Sequence, residues 1–197
     1  MKNTLNLVCA LSTATFFTTG AFAQQTTLTK PNGNITNGSF LAGYPGSNAF
    51  NQNKTADNSR WLVPVSAMNA TPNTAFVVYS FDDKTVVNGY AVFGLASSNS
   101  GLARDPKSWS LEGSSNKVDW VLADARSNVT GWTSLQVRSY ATAHTNSFRH
   151  WRFTMHENNG ATDHVGIQEL ELDFFGKYLL PCVLAVVVFT AYVLQGR

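Results

Sequence analysis

Seven runs of seven to twelve residues in which apolar and polar side chains alternate, divided by Asn, Gly, Asp and Ser, dominate the second half of the chain. They are 73–81 "NTAFVVYSF", 86–97 "VVNGYAVFGLAS", 107–114 "KSWSLEGS", 119–125 "DWVLADA", 133–141 "TSLQVRSYA", 148–157 "FRHWRFTMHE" and 167–175 "IQELELDFF". A two-residue period is the signature of a strand with one dry and one wet face. In 107–113, Trp109 and Leu111 share a face opposite Ser108, Ser110 and Glu112. In 149–157, Trp151, Phe153 and Met155 oppose His150, Arg152, Thr154 and His156, and in 167–175 Leu170, Leu172 and Phe174 oppose Glu169, Glu171 and Asp173. Many short strands of this kind, with no amphipathic helix of useful length between them, predict an all-β chain of two antiparallel sheets packed face to face.

The two ends read differently. Residues 1–23 combine Lys2, an apolar stretch and "AFA" before Gln24, the pattern of a cleaved export signal, and 24–36 reads as a linker. Loss of that signal removes Cys9 and leaves Cys182 alone, so the exported chain has no internal disulfide and depends on its core. At the other end, 177–197 contains an uncharged run from Tyr178 to Gln195. As a helix it covers about 27 Å, close to the hydrocarbon thickness of a bilayer. A transmembrane anchor is expected there, with a buried C-terminal element as the alternative. These ends place the protein at a cell surface or in a periplasm.

Charged residues make up 13% of the chain and the net charge is +2. That is about half the usual charged fraction, and it excludes the basic field that nucleic acid requires. A surface of amides and hydroxyls suits neutral partners, sugars among them. No H-E-x-x-H, G-x-S-x-G or phosphate-binding glycine loop occurs. His150 and His156 share a strand face but lie about 20 Å apart, too far for one metal ion. Asp82 and Asp83 fall at a turn with no second carboxylate placed across from them. No enzyme activity is expected.

Four segments in order, 48–63 "NAFNQNKTADNSRWLV", 105–132 "DPKSWSLEGSSNKVDWVLADARSNVTGW", 147–160 "SFRHWRFTMHENNG" and 165–176 "VGIQELELDFFG", resemble coagulation factor V/VIII type C, or discoidin-like, domains. The resemblance covers 37–176. It implies an eight-stranded, galactose-binding-type jelly roll similar to bacterial family 32 carbohydrate-binding modules, with Trp109 and Trp120 in the core beside Trp61 and Trp151. It further implies a glycan ligand held among loops at one end of the sandwich, with a protein or lipid surface as the alternative partner.

Two sites follow from the same resemblance. A structural calcium ion in that family lies between a loop matching "AFNQNKT" and a glutamate of the last strand, which gives Ala49, Asn51, Asn53, Thr55 and Glu169 here. Asn51 stands where the family has aspartate, and each lost carboxylate weakens calcium binding. The triplet Asp124-Ala125-Arg126 resembles a D-x-R found in part of the family. Arg126 and Asp124 offer hydrogen bonds to ligand hydroxyls, or else brace the loop as an internal ion pair. Trp132, after Gly131, is a ring on which a sugar face stacks, or a residue folded over the core. His144, Arg149, Asn158 and Asn159 complete the expected ligand set.

Overall fold

The computed structural model describes residues 25–27, 34–97 and 101–175; the expected export signal and C-terminal anchor lie outside the described residues. Eleven strands are present among them: β1 Gln25–Thr27, β2 Asn34–Asn37, β3 Trp61–Pro64, β4 Phe76–Thr85, β5 Val87–Phe93, β6 Pro106–Ser114, β7 Val121–Arg126, β8 Val137–Ala141, β9 Phe148–Asn158, β10 His164–Ile167 and β11 Glu169–Phe175. Two single-turn helices, α1 Val65–Met68 and α2 Gly101–Arg104, interrupt them, and no helix among the described residues is long and apolar enough to cross a membrane.

Every adjacent strand pair is antiparallel, in a four-stranded sheet β1-β11-β5-β8, a five-stranded sheet β2-β4-β9-β6-β7 and a two-stranded ribbon β10-β3. Pairing also reaches into the stretch 24–36 expected as a linker. Residues 25–27 extend the first sheet along β11 and Asn34–Asn37 extend the second along β4. Two edge strands therefore lie in a stretch too short and polar to show an alternation.

The dry faces meet as the sequence period requires. Trp109, Leu111, Trp151, Phe153 and Met155 of the larger sheet pack with Tyr90, Val92, Leu170 and Leu172 of the smaller one, and Trp61 and Ile167 close the side. Trp109 meets Tyr140 and Phe153 at ring-centre distances of 5.4 and 6.0 Å, an arrangement in which edge and face charges attract.

Trp120 departs from expectation. It is half-buried on the outer face, with the Arg152 guanidinium 4.1 Å above its ring. The cause is a bulge in β7: Leu111 pairs with Asp124 but Glu112 pairs with Leu122, so Ala123 is an extra residue. Directly paired residues share a face. Leu122, and Trp120 two residues before it, therefore point outward with Glu112, whereas Asp124 and Arg126 point inward with Leu111 and Trp109.

Candidate functional site

The inward turn of Asp124 and Arg126 favours the internal-brace reading of that pair. Trp109 Nε1 donates to the Tyr90 hydroxyl at 2.8 Å, Tyr90 donates to Asp124 Oδ2 at 2.5 Å, and Arg126 Nε donates to the same oxygen at 2.7 Å. The Arg126 guanidinium then lies 4.6 Å from the centre of the Tyr140 ring. Burial and the bond to Asp124 push the Tyr90 hydroxyl well above its ordinary range, which keeps it a donor, and the bond to Asp124 raises Arg126. The network ties edge strand β7 to β5 and β8 across the sandwich. It is an internal brace whose hydrogen-bonding capacity is largely used within the fold.

Trp132 is corrected as an exposed ring. It is only 5% exposed, donates through Nε1 to the Pro106 carbonyl at 3.0 Å, and is covered on one face by Arg138 at 4.4 Å. Room for it comes from Gly94, where a Cβ would stand 2.8 Å from the ring. The Gly131 turn, with φ of +69°, returns the chain so that the indole lies over Trp109.

The remaining expected ligand residues do not gather. Arg149 and Asn158 sit near opposite ends of β9, about 30 Å apart at about 3.3 Å per residue. His144 lies beside Phe148, and Arg149 donates to the Phe81 carbonyl at that end. At the other end the Asn158 amide holds the Ala161 and His164 carbonyls, and the Asn159 amide holds those of Asp105 and Val129. Both asparagines shape the β9–β10 loop from within.

That loop presents a group the sequence did not reveal. Arg104, at the end of α2, forms a two-pronged ion pair with Asp163, Nε donating to Oδ1 at 3.1 Å and Nη2 to Oδ2. The Asp163 main-chain carbonyl caps α1 by accepting Val65 N at 3.0 Å, and His164 Nδ1 lies 3.2 Å from Asp163 Oδ2. The bond to Arg104 holds the Asp163 carboxyl well below the usual carboxylate range, so it is ionised at any physiological pH. Asp163 Oδ1 also accepts from His164 N at 2.7 Å, yet the side chain remains 44% exposed. On the other side of β3 and α1, the stretch 41–44 bonds to Leu62, and Phe40 beside it is 45% exposed, the one exposed aromatic ring among the described residues. A donor–acceptor cluster and an open ring thus flank α1 at one end of the sandwich. Arg104 and Asp163 are 59 residues apart, and no local motif joins them.

The cation loop forms, but its donors are occupied. Glu169 is buried rather than wet, because the Asn51–Asn53 turn covers it; Gln52 N donates to Oε1 at 3.1 Å and Oε2 has no partner. Burial pushes its carboxyl up to about 7. The Asn51 Oδ1 takes the Asn53 N–H at 2.9 Å, and the Asn53 Oδ1 takes those of Thr55 and Ala56. The carbonyls of Asn53 and Ala56 both accept from Gln168 Nε2, at 3.0 and 3.1 Å, while Ala49 supplies only a core methyl. Calcium needs six to eight oxygens. An amide NH₂ collects two of the carbonyls, and Glu171 is paired with Lys54. Two buried oxygens beside the loop, Glu169 Oε2 and Gln168 Oε1, are without a partner, fewer than the ion needs, and among the described residues no three His, Cys, Asp or Glu side chains gather elsewhere as a metal site.

This fold is that of the discoidin-like, galactose-binding-type jelly rolls. Among solved structures, the family 32 carbohydrate-binding module of C. perfringens NanJ in complex with galactose superposes with a TM-score of 0.58 at 15% identity, over 76% of this chain and 99% of that one. A fucose-binding module of Streptococcus pneumoniae gives 0.56 at 10% identity over 77% and 96%, and a fragment of a putative chitobiase from Bacteroides thetaiotaomicron gives 0.59 at 12% over 81% and 98%. No family model and no curated protein matches the sequence. At such identities the likeness fixes the architecture and leaves the ligand to be argued from the site.

Proposed function

We propose that the protein is an exported, non-catalytic carbohydrate-binding module, held on a membrane by the run Tyr178–Gln195, and that it takes its glycan at the α1 end. The observation that carries this reading is the exposed Asp163 carboxylate, kept ionised by Arg104 and bonded by the His164 main-chain N–H, at a loop end of a jelly roll. A carboxylate held beside a guanidinium accepts from a sugar hydroxyl, and Phe40 offers a face on which a pyranose ring rests. The structural neighbours with galactose and fucose in their names bind such ligands. The alternative, an adhesion surface for protein or lipid at this same end, requires a continuous exposed apolar patch there, and Phe40 stands alone. One shallow site of this kind is weak, and crowding on a membrane raises its avidity. The test is a glycan array probed with the wild-type protein and with Asp163→Asn and Phe40→Ala. Wild-type binding to a defined sugar class, lost in both variants while their melting temperatures hold, supports the reading. Full retention in both variants removes the site from α1.

A further inference from the structure

Of the five large apolar side chains exposed among the described residues, three lie on or beside one turn at the opposite end from α1: Val118 on the turn itself, 76% exposed, and Val121 and Leu122 on opposite faces of the strand that leaves it. The turn that carries Val118 is rigid. Ser114 Oγ accepts from Asn116 N and Lys117 N at 3.2 and 2.9 Å, Asn116 Oδ1 accepts from Val118 N and Asp119 N, both at 2.9 Å, and Asn116 Nδ2 donates to Asp119 at 2.8 Å. Lys117 takes a φ of +63° at its apex, a conformation that a side-chain-bearing residue adopts at a cost. A frame so fully hydrogen-bonded has no conformational freedom with which to fold its valine back onto the domain.

The chain leaves the sandwich at the same end. Ser114 pairs with His150, the neighbouring Arg149 bonds to Phe81, and Phe81 packs on Phe174 at a ring-centre distance of 5.4 Å, one residue before β11 ends. Only Gly176 and Lys177 separate Phe175 from the uncharged run that starts at Tyr178. Two residues span at most about 7 Å. If that run is anchored in a bilayer, as proposed above, the end of the sandwich bearing the Val118 turn has no room to stand clear of the headgroups.

We infer that this end of the domain lies on the lipid surface, with Val118, Val121 and Leu122 entering the headgroup layer and the α1 end facing away from it. The inference rests on the membrane-anchor reading and adds to it a fixed orientation. Apolar side chains at a rigid tip gain by leaving water at the interface, and Lys117 beside them meets lipid phosphates. A second docking of the tip, onto another protein, is an outcome of the same experiment.

The test uses the full chain with Cys9 and Cys182 replaced by serine, reconstituted in phosphatidylcholine–phosphatidylglycerol vesicles that carry headgroup-attached quenchers. An environment-sensitive dye is placed at Val118→Cys or, at the other end, at Asn69→Cys. The expected result is quenching of the dye at 118 severalfold greater than at 69, reduced to the level at 69 by Val121→Asp with Leu122→Asp while the protein still floats with the vesicles. Flotation with equal or reversed quenching overturns the orientation and leaves the anchor standing. A blue-shifted but unquenched dye at 118 overturns it in favour of a protein contact, and failure to float overturns anchor and orientation together.

Discussion

Asp105 joins the loops that frame α1, and its ionisation sets a pH dependence that a single substitution removes. Its side chain is fully buried; Oδ1 accepts Leu95 N at 2.7 Å and Oδ2 has no partner. Its carbonyl takes both the main-chain and side-chain N–H groups of Asn159, at 3.1 and 3.0 Å. Burial pushes the carboxyl from an ordinary 3.8 up to about 7, against the smaller opposing effects of the Leu95 N–H and the Arg138 charge. The native state therefore binds a proton that the unfolded chain has lost between these values. Stability is fully present below about pH 4 and falls as the pH rises through about 7, by on the order of 4 kcal/mol at most, at about 1.4 kcal/mol per pH unit. Glu169, raised to about 7 by burial, adds a slope of the same sign. Asp163, held low by Arg104, acts in the opposite sense, but its stabilisation is lost only as the pH falls below that window.

Asp105→Asn keeps the acceptor for Leu95 and removes the charge. It leaves one amide N–H group buried without an acceptor, at a cost of about 1–3 kcal/mol. Urea denaturation at pH 5, 6, 7 and 8 separates the two effects. At pH 5, already about one unit up the slope, the variant is similar to or less stable than wild type; at pH 8 it is equal or more stable; and its pH slope shrinks to that left by Glu169 and, in the opposite sense, by His150 and His156, which burial lowers. Parallel curves for the two proteins from pH 5 to 8 would refute the assignment of the slope to Asp105.

Two further outcomes check the corrected positions. Trp132→Ala costs roughly 3–5 kcal/mol, as Trp109→Ala does, because each empties a buried site the size of an indole; a loss under 1 kcal/mol in thermal or urea unfolding would return Trp132 to the surface. Glu169→Gln puts an amide N–H where Oε2 has no partner, so it lowers the melting temperature at pH 5 and raises it at pH 8, and millimolar calcium leaves the wild-type midpoint where it is, since a ligand held only by the folded state would raise it; a calcium-dependent rise shows that the loop reopens its carbonyls to the ion.

What the sequence made legible is what a two-residue period encodes. Trp109, Leu111, Trp151, Phe153, Met155, Leu170 and Leu172 are buried in the faces their spacing assigns, and the jelly roll follows from the order of the segments they occupy. The period fails where the pairing does. Reading 119–125 as an unbroken strand places Trp120, Leu122 and Asp124 on one face; the extra residue at Ala123 sends the first two outward and the third inward. A bulge is chosen by the partner strand and by the brace through Tyr90, and neither is local to the run. Trp132 was ambiguous for the same reason, since its burial depends on the missing side chain at Gly94, 38 residues earlier.

The candidate site was less legible because its parts are held by groups that look like ligand residues themselves. Asn158, Asn159, Asp124 and Arg126 are the polar side chains a reader expects at a sugar site, and each spends hydrogen bonds on main chain, on Tyr90 or on one another. A loop rich in asparagine needs such internal bonds, because main-chain carbonyls withdrawn from water must be met by some donor. The group we propose for a ligand is set apart by its exposure rather than by unused bonds. At the α1 end that group is Asp163, which takes its place from Arg104 on α2, His164 on β10 and its own carbonyl bond to α1. Composition announces which atoms a sugar prefers; only the three-dimensional structure shows which of them stay exposed to meet it.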